Sequence, residues 1–156
     1  MSEVHLRPVT LANYRECLAL QVDDAQAGLV ASNAKSLAEA YVNPDLTPLA
    51  VYDVAARGYE EPPTPMVGFT MIEVAAGVGV INRLMIDRAH QRRGYGRATM
   101  TEVIRRLRLS PEAEIIATSH RRENAAAARL YAGLGFVPWD VAYATADAEE
   151  VYLRLP

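Results

Sequence analysis

The segment from Asn82 to Arg97 constrains this chain most. Asn82-Arg83-Leu84-Met85-Ile86-Asp87 reads as the end of a β-strand. Arg88-Ala89-His90 follows, and then Gln91-Arg92-Arg93-Gly94-Tyr95-Gly96-Arg97, a basic loop with two glycines. Beyond the loop Met100, Val103, Ile104 and Leu107 recur at i, i+3, i+4 and i+7, which is one face of a helix. A strand that turns straight into an amphipathic helix needs a crossover, which favours some parallel pairing in the sheet. The loop has chemistry of its own. The first N–H groups of a helix lack internal partners, and the helix dipole adds partial positive charge there. Gly94 and Gly96 carry no Cβ to block a close backbone approach. Arg92, Arg93 and Arg97 add full positive charge. These features together make a cradle for a diphosphate.

The flanking pattern is one of short elements. Val4 to Val9 reads as a strand, and Thr10 as the cap of a helix with Leu11, Tyr14, Leu18 and Val22 on one face. Asp23 to Asn33 shows no clear period. Ser36-Leu37-Ala38-Glu39 fits a capping box for a short helix running to Tyr41, which Asn43-Pro44 ends. Leu49 to Val54 is a β-rich run, and Gly58 to Pro65, with three prolines, reads as an exposed loop. Met66 to Val74, a turn at Ala76-Gly77 and Val78 to Ile86 complete a meander. After the glycine loop, Ser110-Pro111 stops the helix and Ile115 to Ser119 is a strand. Asn124 caps a second amphipathic helix with Ala127, Leu130, Tyr131 and Leu134 inward, and Gly135 stands at its C-cap. Strands near Val137 to Tyr143 and Val151 to Leu155 close the chain. The class is α/β (α+β), and 156 residues suit a single domain over 1–156.

Composition narrows the function. A net charge of −3 lacks the basic excess of a general nucleic-acid binder. No apolar run approaches the ~18 residues of a membrane span. The one cysteine, Cys17, forms no internal disulfide, and Met1-Ser2-Glu3-Val4-His5 has no basic and apolar leader pattern, so a cytoplasmic location is expected. Cys17 lies on an apolar helical face and reads as core.

Which diphosphate ligand the loop takes is decided by its neighbours. A P-loop needs Lys-Ser/Thr after its second glycine, and Gly96 is followed by Arg97-Ala98. A dinucleotide fingerprint needs a third small residue, and Thr99 stands there with no early strand before it. The pattern Gln-x-x-Gly-x-Gly instead resembles the acetyl-coenzyme A loop of the GCN5-related N-acetyltransferases. The later run Asn124-Ala125-Ala126-Ala127-Ala128-Arg129-Leu130-Tyr131-Ala132-Gly133-Leu134-Gly135-Phe136 is similar to that family's second motif, Asn, then Ala-x-x-Leu-Tyr, then Leu-Gly-Phe. Singly, Asn124 is also explained as an N-cap, Tyr131 as a core aromatic and Gly135-Phe136 as a helix stop. Together, at this spacing, they carry the resemblance.

The resemblance implies a mixed central sheet of six to seven strands flanked by about four helices, with splayed central strands forming the acetyl-coenzyme A cleft. It implies that the backbones of Met85 and Ile86 hold the pantetheine arm and that Gln91, Arg92, Arg93, Gly94, Tyr95, Gly96 and Arg97 hold the diphosphate. Asn124 would bind the arm, and Tyr131 would protonate the departing thiolate. A phenol near pKa ~10 suits a thiolate of about 8.5. Losing the amine's proton costs about 4–5 kcal/mol at pH 7 for an alkyl amine. The strand position that often carries a glutamate is matched by Asn82, or by Arg83 with a one-residue shift, and neither is a base. Glu73, through water, is one candidate base, and no dedicated base is the other reading. Asp87 suits a loop-fixing role.

The stretch from Gln26 to Tyr41, with Val67-Gly68-Phe69-Thr70-Met71 and Leu84-Met85-Ile86-Asp87, resembles the bacterial spermine/spermidine branch. A polyamine site needs carboxylates without cationic partners, for which Asp23, Asp24, Glu39 and Glu73 are candidates. The alternatives are another amine, such as an aminoglycoside, an amino acid or a protein N-terminus, or a non-catalytic acyl-coenzyme A binding module. Trp139 and Tyr143 are candidates to line an acceptor pocket. His5 and His90 read as surface residues, Arg121 and Arg122 as a solvated turn, and His120 as a proton carrier at a strand end. No second His or Cys stands at ligand spacing, so no metal is expected. Family members often pair, which leaves a homodimer open.

Overall fold

A computed structural model of the chain describes residues 3–54, 65–140 and 149–156. The expected loop lies outside these residues but for Pro65. So does the end of the expected Val137–Tyr143 strand, Tyr143 included.

The elements run β1 (Val4–Pro8), α1 (Tyr14–Ala19), α2 (Asn33–Val42), β2 (Leu46–Asp53), β3 (Met66–Ala75), β4 (Val78–Ile86), α3 (Tyr95–Arg108), β5 (Ile115–Arg121), α4 (Ala125–Gly133), β6 (Val137–Pro138) and β7 (Glu150–Arg154). Short 3₁₀ turns cover Asp24–Gln26 and Arg88–His90. One seven-stranded sheet has the order β1-β2-β3-β4-β5-β7-β6. Its neighbours are antiparallel except β4 and β5, which the α3 crossover makes parallel. The mixed sheet with four helices is the architecture expected.

Alternation along the strands sorts the core into two layers. Leu49, Val51, Ile81 and Ile116 face one layer, with Met100, Val103, Ile104 and Leu107 of α3 and Tyr131 of α4. Ala50, Tyr52, Phe69, Met71 and Met85 face the other, with Cys17 of α1 and the half-buried Leu37 and Ala40 of α2. The helical period read for α3 therefore holds at every one of its four positions.

The N-terminal helices differ from expectation. α1 begins four residues after Thr10, because local hydrogen bonds use residues 10–13 as a turn. The Asn13 side-chain Oδ1 accepts from Thr10 N–H, and Thr10 Oγ1 accepts from Ala12 N–H. Leu11 and Leu18 are consequently exposed, while Cys17 is fully buried as expected. α2 is capped one turn before the expected box. Ser32 Oγ accepts from Lys35 N–H, and Ser36 is buried inside the helix, donating to the Ser32 carbonyl. Glu39 thus has no capping role.

Candidate active site

β4 and β5 pair only from Val78–Ile81 to Ile115–Thr118. Past Ile81, β4 continues against β3. Past Thr118, β5 continues against β7. Past the parting each strand keeps the partner on its outer side, so its backbone stays hydrogen-bonded along one edge. The parting coincides with a bulge in β4. Arg83 pairs Met71 and Ile81 pairs Ile72, so Asn82 has no partner on β3. Thr70 Oγ1 donates to the Arg83 carbonyl and Thr118 Oγ1 to the Ile81 carbonyl, which fixes the backbone on both sides of the bulge.

A cavity of about 860 Å³ opens at this parting. Residues from Ile81 to Ile86 of β4 form one wall and Ser119, His120 and Arg121 of β5 the other. Gln91, Arg92, Gly94, Tyr95 and Gly96 of the loop and the start of α3, Val30, Ala31 and Lys35 at the start of α2, and Asn124 and Tyr131 from α4 also line it.

The loop is held from below by side chains. Asp87 accepts from Ala89 N–H at 3.2 Å and from Gln21 N–H at 2.9 Å, the loop-fixing role expected of it. The Gln91 amide donates to the Ile86 carbonyl at 3.0 Å and to the Gln26 side-chain carbonyl at 2.8 Å. Arg92 and Gly94 take left-handed backbone, at φ 63° and 86°, and Gly94 is the residue before α3. Gly94, Tyr95 and Gly96 at the start of α3 line the cavity, and no side chain caps this helix start, a place that favours an anion. Tyr95 lines the cavity but is buried, and its hydroxyl donates to the Asp53 carboxylate, which raises the phenol pKa. Arg93 and Arg97 are not on the cavity wall, and the Arg97 guanidinium lies over Gly133 of α4.

Asn124 caps α4, its side-chain carbonyl accepting from Ala127 N–H at 3.1 Å. That leaves the amide NH₂ as its remaining donor on the wall. Tyr131 packs between His120 and Phe136, with ring centroids at 6.1 and 5.9 Å. Burial pushes its phenol pKa up. A hydrogen bond with Thr118 opposes this, and the Glu150 charge adds to it.

The candidate carboxylates fare differently. Glu39 pairs with Arg83 at 3.0 Å and lies 3.9 Å from Lys35, so it is not free of cations. Glu73 is off the cavity wall, and its carboxylate accepts from the Asn43 amide at 3.3 Å. Asp23 and Asp24 are off the wall as well, and so is Trp139, whose ring faces the Arg154 guanidinium. Among the described residues the carboxylate that does reach the wall is Glu150 of β7, in register with Arg121 of β5. No sequence signal marks it, since its place depends on the β5–β7 register. His90 and Arg121, read as solvated, are half-buried on the wall. Among the described residues no three His, Cys, Asp or Glu gather as a metal site, and no helix is long and apolar enough to cross a membrane.

Two strands that part beside a glycine-bearing turn at a helix start are the frame expected of an acyltransferase that uses acyl-coenzyme A. The model of the acetyltransferase (GNAT) family matches residues 20–136. The chain belongs to that family and is an acetyl-coenzyme A-dependent N-acetyltransferase. Solved structures share the fold at low identity. The PaiA N-acetyltransferase of Thermoplasma acidophilum, in complex with coenzyme A, is 12% identical, with 98% of each chain covered and a TM-score of 0.69. The ribosomal-protein-S18-alanine N-acetyltransferase of Escherichia coli is 20% identical, with 98% of this chain and 93% of that chain covered and a TM-score of 0.68. A chimera of the spermidine N-acetyltransferase of Vibrio cholerae is 14% identical, with 99% and 95% covered and a TM-score of 0.67. No curated protein sequence matches the chain.

Proposed function

We propose that the chain acts as one domain that moves the acetyl group directly onto a primary amine, with Tyr131 as general acid. The carrying observation is the position of Tyr131: a protonated, buried phenol on the wall where β4 and β5 part. In this reading the loop N–H groups behind Gly94 hold the diphosphate, with Arg92 as the exposed cation beside it. The Met85 and Ile86 backbones and the Asn124 NH₂ hold the pantetheine arm. A main-chain N–H next to the bulge polarises the thioester carbonyl. Tyr131 keeps its proton until thiolate charge develops and then donates it.

The acceptor is the finer part of the proposal. A polyamine reading needs cation-free carboxylates facing the cavity. Glu39 is shared by Arg83 and Lys35, Glu73 is off the wall, and among the described residues Glu150 is the remaining carboxylate on it against Arg121 and Arg129. This charge favours an amine of low positive charge over spermine or spermidine. The buried free thiol of Cys17 fits a reducing compartment such as the cytoplasm.

The test is thiol release from acetyl-coenzyme A over spermine, spermidine, a monoamine, amino acids and an aminoglycoside, with Tyr131→Phe beside the wild type. The monoamine is expected to match or exceed spermine in kcat/KM, and Tyr131→Phe to lose about 10²–10⁴-fold in kcat. Preference for spermine would return the acceptor to a polyamine. A kcat within threefold in Tyr131→Phe, where chemistry limits turnover, would reduce Tyr131 to packing.

A further inference from the structure

We propose that His120 is the general base, taking the attacking amine's proton on Nε2. The inference rests on the acetyl-transfer reading above and supplies the group that reading lacks. The wall residues at the usual strand position, Asn82 and Arg83, accept no proton. Lys35 and the arginines are cations. Among the described residues the wall side chains of a type that serves as a base are His90, His120 and Glu150. His90 is next to Tyr95, ring centroids 6.4 Å apart, at the diphosphate end. His120 is next to Tyr131, at the parting of the strands.

Local geometry sets the state of the His120 ring. Its Nδ1 is 2.8 Å from the Arg121 carbonyl oxygen. A carbonyl only accepts, so Nδ1 carries the proton in the neutral ring and Nε2 carries the lone pair. The ring meets Tyr131, and the charged groups that share its cavity wall are Arg129 of α4, Arg121 on its own strand, Arg83 of β4 and Glu150 of β7. Arg121 and Glu150 are opposite one another across β5 and β7, and Arg83 is paired with Glu39. Arg121 also lies 3.8 Å from Glu123, so cations outnumber carboxylates on this part of the wall, which favours the neutral ring that a base needs.

The proton account closes. The amine lone pair forms the N–C bond, and the proton it must shed passes to His120 Nε2. The C–S bond breaks with its electron pair on sulfur, which takes the Tyr131 proton. Water returns the imidazolium proton to the phenolate. The acid and the base are adjacent rings, so the return path is short and both regain their starting state each turnover.

The test compares wild type, His120→Gln, His120→Ala and Glu150→Gln, using the fastest acceptor of the panel and calorimetry for coenzyme A binding. In both His120 variants kcat/KM at pH 7 should fall about 10²–10⁴-fold while coenzyme A binds within threefold of wild type. The rising limb of the wild-type pH profile of kcat/KM should change in both His120 variants. The deficit should shrink above about pH 9, where free amine becomes abundant. Added imidazole should restore part of the His120→Ala rate, and His120→Gln covers the case in which the alanine variant fails to fold. Rates within threefold of wild type with an unchanged pH profile would overturn the proposal, as would loss of that limb in Glu150→Gln alone. A wild type that binds coenzyme A but acetylates nothing would overturn the function and this inference together.

Discussion

At the scale of single residues the loop shows how little the cradle depends on arginine. Of Arg92, Arg93 and Arg97 one reaches the wall, and the turn itself is set by backbone at Arg92 and Gly94. Gly94 at φ 86° is in the left-handed region, which costs an L-residue with a Cβ roughly 1–2 kcal/mol. Gly94→Ala should therefore lower unfolding free energy by about that amount. It should also weaken coenzyme A binding measured by calorimetry, because the α3 start must move. Wild-type affinity in a variant destabilised to this extent would separate the turn from the ligand. Gly96 is a milder position, since an added Cβ would meet only the Leu130 side chain at 3.6 Å.

At the scale of elements, what could be read beforehand follows from locality. α3 and α4 were legible because their periods, caps and stops are written in adjacent residues, as with Asn124 and Gly135. α1 and α2 were misplaced because near-equivalent caps compete: Thr10 and Asn13 close a turn together, and Ser32 takes the role that Ser36 also fits. The wall residues Glu150 and Arg121 were illegible, since pairing between distant strands brings them there. So was the Arg83–Glu39 pair, which joins residues 44 apart in sequence. α4 also offers a clean separation of two duties in Asn124. Asn124→Ala should cost about 1 kcal/mol through the lost cap and weaken coenzyme A binding. Asn124→Asp keeps an acceptor for Ala127 N–H but loses the NH₂ donor. It should hold stability in urea titration while still weakening binding. Equal affinity in Asn124→Asp and wild type would leave Asn124 as a cap alone.

At the scale of the whole molecule, the fold raises the pKa of several weak acids, so they hold their protons further into alkaline pH than in the unfolded chain. Burial raises Cys17 to about 11 from 9.0, and raises Tyr52 and Tyr131. The bond to Asp53 raises Tyr95. A folded-state pKa above the unfolded one gives stability that is complete below the unfolded value and is lost as pH rises through the folded value. The urea midpoint should therefore hold up to about pH 9 and fall between 9 and 11, with Cys17 contributing about 3 kcal/mol of that fall. Cys17→Ala should show a shallower alkaline decline. An identical decline would remove the thiol from the account.

The bulge at Asn82 has a consequence for what counts as a good sequence. Without residue 82, Arg83 opposite Met71 and Ile81 opposite Ile72 would become consecutive rungs. Every neighbouring side chain would keep its face, since Ile81 and Leu84 already share one layer and Met85 the other. The shortened chain would make the more regular ladder, and it would lose the irregularity beside which the cavity opens. Residue 82 is a spare letter whose presence matters more than its identity, and a sheet selected for stability alone would discard it.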